Sequence, residues 1–287
     1  VSPTSGGVGD TLNLTGTGFG GAAVSIFFDE MSVKSVNTTN GGFSTTITVP
    51  AVSSGAHTIK AVDTEEIQVT FTLSQQMTVT PTTPLFVGDS VTVSGSGFAI
   101  NQPVAVTIDS IPITITPVPY STSSGTFTAT FAVPAVAKGN HTLSVRVGTG
   151  TPSTATITVK EKVTNLSPTN GPGGTVVKVS GTGFAPGSAA VTFDGANIGT
   201  ITVDASGSFT DATFTVPDSS SGAHAITIQG IAAPSFTIDP KASLTPAAGI
   251  FNDVITVTGS GFGSQKTISI VIDGAYSLGT ATSNSAG

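Results

Sequence analysis

Cysteine is absent from the 287 residues. That excludes disulfides, thiol catalysis and cysteine-ligated zinc, while leaving the compartment open. Tryptophan is absent as well, and there are only 2 Tyr and 2 Met. A glycan-binding cleft relies on exposed aromatic platforms. Tyr120 and Tyr276 are the tyrosines on offer, and most Phe residues fall at repeated positions that read as core. Charge is scarce too, at 9% of residues against roughly 25% in an average soluble protein. Nine Lys and Arg face sixteen Asp and Glu, giving a net charge of -7. No basic cluster could track phosphates, so nucleic acid is excluded as a partner. No apolar run approaches the roughly 20 residues of a membrane helix, so no membrane span is expected in this segment. The chain has neither a starting Met nor a signal-peptide pattern and reads as mature or trimmed.

What is abundant is Ser and Thr, about 29% of the sequence, well beyond ordinary usage. Val, Ile, Thr and Phe suit a pleated, half-buried surface, and strong helix formers are few. The expected class is all-β.

The stretch "GTGFGG" fits the dinucleotide fingerprint G-x-G-x-x-G at Gly16, Gly18 and Gly21. Internal repetition argues otherwise. GxGF returns at Gly95, Gly97 and Phe98, at Gly181, Gly183 and Phe184, and at Gly259, Gly261 and Phe262, about 80 residues apart each time. The third glycine does not return. Each copy follows an alternating run, "DTLNLTG", "DSVTVSG", "TVVKVSG" or "DVITVTG", which puts Leu12 and Leu14 and their equivalents on one face. A second apolar strand follows, ending in Asp29, Asp109, Asp194 or Asp273, read here as turn starters. A nucleotide loop would need a helix next. The expectation is instead a strand-ending turn, with both glycines supplying positive φ and Phe19 and its equivalents folding back into the core.

Roughly seven short strands per repeat argue for an immunoglobulin-like β-sandwich. The expected repeats are 1–75, 76–161, 162–240 and the first half of a fourth at 241–287, chained as beads on a rod. The run "LSPTNGPGGTVVKVSGTGFAPGSAAVTFDG" (Leu166 to Gly195), with "FTVP" and "SGAH", resembles the IPT/TIG family of immunoglobulin-like domains. Repeat 1 departs from the family core in carrying Leu for Val or Ile, and repeat 3 has Gly174–Thr175 where Gly–Asp is usual. The resemblance implies a fold more than an activity. Tandem copies in that family occur in cell-surface, adhesin-like and receptor ectodomain proteins, and single copies beside catalytic domains of secreted carbohydrate-active enzymes and in transcription factors.

His57, His141 and His224 occupy one repeated position at the start of the sixth strand and share parity with Ile59, Leu143 and Ile226. One per domain, they read as a histidine version of the tyrosine that braces the preceding corner in immunoglobulin-like sandwiches, not as ligands or catalysts. The densest acidic cluster is Asp63, Glu65 and Glu66, without a calcium-loop pattern. No catalytic residue, cofactor or metal site stands out. Asn13, Asn37, Asn140 and Asn165 head glycosylation sequons, and Asn13 lies on an outward face. The loop "ITPVPYSTSSG" (Ile115 to Gly125) lies outside the repeat pattern and could carry a site of its own.

Repeat 4 lacks the later strands of its siblings, which is expected to expose apolar faces and open edges. This reads as a segment of a longer repetitive protein, or as a half-domain completed by a neighbour's strands. The function expected is a non-enzymatic extracellular structural protein at the cell surface: a surface layer, filament or adhesin stalk. Its partners would be copies of itself or other cell-surface components. The alternatives are an accessory or carbohydrate-binding region of a secreted enzyme, or a receptor-type ectodomain that binds a protein.

Overall fold

The computed structural model describes all 287 residues, Val1 to Gly287. It is all-β, with strands throughout and no helix. By compactness the chain divides into two units. One comprises Val1–Leu85, Asp89–Pro134 and Asn140–Thr158, and the other Phe86–Gly88, Ala135–Gly139 and Val159–Gly287.

In the first unit, residues 5–73 form one sandwich. A five-stranded sheet runs Ser5–Gly6, Glu66–Leu73, Gly55–Val62, Ala23–Phe28, Met31–Asn37, and it faces the pair Thr11–Thr17 with Gly42–Thr48. Alternation explains the pairing. Leu12 and Leu14 from one sheet and Val24, Ile26 and Phe28 from the other are buried in a single cluster, while Asn13 points to solvent. The same unit holds a four-stranded sheet, Ile111–Ile113, Val104–Ile108, Gly139–Val147 and Ser153–Val159, and a three-stranded one, Phe127–Ala132, Ser90–Ser96 and Gln76–Thr80. On the outer face of the latter, Thr92 and Thr130 hydroxyls lie 3.1 Å apart and those of Ser94 and Thr128 3.3 Å. Such cross-strand hydroxyl pairs give the Ser/Thr-rich faces a structural use.

In the second unit, Leu166, Val177, Val191, Phe214, Ile226 and Phe236 belong to one core. Here the structure departs from the sequence pattern. "GAHAITI" reads as one strand but is two: Gly222–His224 pairs with Phe236–Ile238, and Ile226–Ile228 pairs with the strand Gly187–Phe193. The closing strand is also split, into Ile231–Ala232 and Phe236–Ile238. Pro234 lies in that gap, and a residue without an N–H cannot continue the ladder. Residues 241–287 form two hairpins, Lys241–Thr245 with Thr256–Ser260 and Thr267–Ile272 with Tyr276–Thr282. Between them Leu244, Val257, Ile268 and Ile270 line an open groove of about 660 Å³.

The two glycines of GxGF serve different ends. The second one has the expected positive φ: 90° at Gly18, 76° at Gly97 and Gly183, 72° at Gly261. The first does not, which corrects the expectation that both do. A Cβ on Gly181 would sit 2.5 Å from Phe209 and 2.8 Å from Phe184. Glycine is needed there so that two Phe rings can close over the strand. Those rings pack in three copies, with centroids 5.4 Å apart for Phe19–Phe43, 5.0 Å for Phe98–Phe127 and 5.1 Å for Phe184–Phe209. The backbone N–H of each GxGF phenylalanine then donates across the sandwich to a glycine carbonyl. The pairs are Phe19 to Gly41, Phe98 to Gly125, Phe184 to Gly207 and Phe262 to Gly287, at 2.9 to 3.0 Å. The third glycine of the fingerprint, Gly21, donates to Asp63 Oδ2 at 2.9 Å, and the element after it is the strand Ala23–Phe28.

Candidate functional site

The strongest recurrent cluster of chemistry-bearing side chains joins two residues that the sequence presents separately. Asp29, Asp109 and Asp194 begin two-residue hairpin turns, between Phe28 and Met31, Ile108 and Ile111, and Phe193 and Ala196. Their φ values are 52°, 48° and 49°. Two-residue hairpins need left-handed backbone, and Asp adopts it at small cost. That turn aims each carboxylate at the strand beginning with the histidine. Oδ1 accepts the backbone N–H of Thr58, Thr142 or Ala225, at 2.9 Å in each case. The aspartate's own N–H returns a bond to the carbonyl of the same residue. Oδ2 lies 2.8 Å from His57 Nδ1, 2.6 Å from His141 Nδ1 and 2.6 Å from His224 Nδ1.

The far side of the ring is also engaged. His57 Nε2 lies 2.8 Å from the Ser53 carbonyl oxygen, and His224 Nε2 2.7 Å from that of Ser220. Both ring nitrogens of His57 and His224 thus lie within hydrogen-bond distance of a protein oxygen, one a carboxylate and the other a backbone carbonyl. The rings are nearly buried, at 10 to 12% side-chain exposure, whereas the three carboxylates are about half exposed. His57 leans on Phe28 with centroids 5.1 Å apart, and His224 stacks on Phe193 at 4.8 Å.

The carboxylates are held below their ordinary range. For Asp109 and Asp194 the hydrogen bond from the histidine is the largest cause, helped by the N–H of Thr142 or Ala225 and opposed by burial. For Asp29 burial is the largest influence and pushes upward. The Thr58 N–H and His57 together outweigh it. A carboxylate that holds both the histidine ring and the next backbone N–H is a clamp. It ties the hairpin turn to the histidine strand and, at His57 and His224, to the corner four residues earlier. At those two residues both ring nitrogens face oxygens of their own repeat.

The remaining candidates lie apart. The three histidines each pair within their own repeat. Asp63 spends Oδ2 on Gly21 and Oδ1 on the Glu65 N–H, and these backbone bonds, Glu65 first, hold it below its ordinary value. Glu65 and Glu66 point to solvent. Asn13, Asn37, Asn140 and Asn165 are all exposed. Tyr120 is 62% and Tyr276 71% exposed. Asp273 makes the same turn with φ 51°, but no histidine follows it in the chain. The Asp–His pairing was missed by sequence reasoning. The signal was there in the recurrence of both residues in each of the first three repeats, but their 28- to 32-residue separation is bridged only by the sheet.

Residues 162–238 match the IPT/TIG domain family, and the chain is a tandem of immunoglobulin-like repeats. Among solved structures, the ICAM-5 D1-D4 ectodomain fragment is similar at 12% identity, with 82% of this chain and 74% of that one covered and a TM-score of 0.26. SGBP-B of a Bacteroides ovatus mixed-linkage glucan utilization locus, solved with a mixed-linkage heptasaccharide, is similar at 16% identity. That alignment covers 80% of this chain and 64% of the other, with a TM-score of 0.24. The I9-I11 tandem from titin is similar at 12% identity, covering 82% and 94%, with a TM-score of 0.23. No curated protein matches.

Proposed function

We propose that this chain is a non-enzymatic structural protein of the cell exterior, a component of a surface layer, filament or adhesin stalk. The observation that carries the reading is the use made of the histidines. The side chains best suited to catalysis or metal binding sit at one repeated place, and at His57 and His224 both ring nitrogens are spent on holding the fold. The outward faces are rich in hydroxyls and sparse in charge, with 9% of residues charged, which suits a hydrated surface lying against other copies or cell-surface components. The four exposed sequon asparagines offer places to mount glycans. In such a role the number of tandem repeats would set the reach of the chain.

The test is self-association. Purified protein is followed by sedimentation velocity and negative-stain microscopy as its concentration rises. Ordered filaments or sheets support the reading. A chain that stays monomeric and instead binds a soluble glucan or xylan would replace it with the accessory carbohydrate-binding role.

A further inference from the structure

The clamp does not end at its own repeat. The Ser53 carbonyl takes His57 Nε2, and the next residue, Ser54, donates its N–H to the Gly97 carbonyl of the following repeat at 2.7 Å. In the second unit the arrangement recurs. The Ser220 carbonyl takes His224 Nε2, and the Ser221 N–H donates to the Phe262 carbonyl at 3.0 Å. The acceptor in both cases is a GxGF turn. That turn is gripped from its other side by the connecting segment. A Cβ on Gly97 would lie 2.9 Å from Leu73 and 3.1 Å from the Ser74 carbonyl, and one on Gly261 would lie 2.8 Å from the Asp239 carbonyl and 2.9 Å from Ile238. Gly18, with the same left-handed backbone, has nothing within 4 Å of that point.

We infer that the histidine-held corner of one repeat is a docking surface for the GxGF turn of the next, so that the Asp–His clamp is a positioning element of the joint between consecutive repeats. A single motif then does two jobs. Inside its own repeat, GxGF closes the sandwich over two Phe rings. Outside it, the second glycine lets the turn slide between the preceding repeat's corner and the connecting strand end. The corner can present the Ser54 N–H only while its neighbouring carbonyl is fixed, and His57 fixes it. Being exposed, Ser54 would otherwise exchange its amide hydrogen freely.

The test uses the full chain, whose lack of cysteine allows spin labels at Thr48→Cys and Ala132→Cys, exposed positions on repeats 1 and 2. Pulsed dipolar spectroscopy reads the distance distribution between them. Gly18→Ala and Gly97→Ala carry the same left-handed strain, but only Gly97→Ala is expected to shift and broaden the distribution. His57→Phe keeps a ring against Phe28 while removing both hydrogen bonds. It is expected to broaden the distribution and to lower the protection of the Ser54 amide about tenfold, the loss that one hydrogen bond supports, with the Ile59 amide still protected. Equal behaviour of Gly18→Ala and Gly97→Ala overturns the proposal. So does an unchanged distribution with a protected Ser54 amide in His57→Phe. Should His57→Phe lose Ile59 protection as well, the comparison of the two glycine variants decides alone.

Discussion

Replacing Gly181 by alanine reverses an ordinary expectation about glycine. In a strand with unstrained backbone, Gly→Ala stabilises by roughly 0.4–1 kcal/mol through the unfolded chain. Gly181 has no positive φ, so that gain applies. Against it stands the added methyl, 2.5 Å from Phe209 Cζ and 2.8 Å from Phe184 Cε2, where carbon atoms prefer about 3.5–4.0 Å. Both rings are buried and pack on each other at 5.1 Å, so neither can swing aside into solvent. Overpacking of this kind costs about 1–3 kcal/mol. The net runs from near zero to a loss of about 2.6 kcal/mol, which for a sandwich of this size lowers its transition by up to roughly 20 °C. Differential scanning calorimetry of the full chain reads the shift. Phe209→Leu in the same molecule should make room, so that the double variant is more stable than the sum of the two single losses predicts. A stabilised Gly181→Ala, or strict additivity with Phe209→Leu, would refute the account of why the first glycine of GxGF is there.

Acid should weaken the clamps. The carboxylates of Asp29, Asp109 and Asp194 lie below their ordinary value in the folded chain. Their contribution is therefore complete above the unfolded value of about 3.9 and lost as pH falls through the folded one. Urea midpoints measured from pH 6 down to pH 3 should drop over the lowest unit, and the Asp29→Asn, Asp109→Asn, Asp194→Asn triple variant should drop less. Asparagine keeps the left-handed turns, so strands in that variant should be intact by circular dichroism; lost strand signal would mean that the carboxylates hold more than the clamp. Asp63→Ala should free the Gly21 N–H and raise exchange at that amide, leaving the core amide of Ile26 unchanged. Thr92→Ala with Thr130→Ala removes one exposed hydroxyl pair and should cost less than about 1 kcal/mol, measured by urea unfolding.

Much of this fold was legible because its rules are local. Period-two alternation marks Leu12, Leu14, Val91, Val93, Val177 and Val179 as buried, and they are. The recurrence of GxGF exposed the false dinucleotide fingerprint, since a helix never follows. What stayed hidden is non-local or steric. Asp29 reads as a turn residue from its neighbours, and only the sheet brings His57 to it. Gly16 and Gly18 look alike in sequence, yet one makes room for rings that include Phe43 from a distant strand and the other bends the backbone. The split at Ala225 was hidden for a related reason: a single proline in the partner strand, not anything in "GAHAITI", interrupts the ladder.

A chain that works outside the cell as a repeated structural element must be reachable there. Gold-labelled antibody against the folded chain, applied to intact, unpermeabilised cells of the organism that makes it, tests that most directly. Dense labelling at the surface, in an ordered spacing or along filaments, is the predicted result. Labelling that appears only after the cells are opened would contradict it.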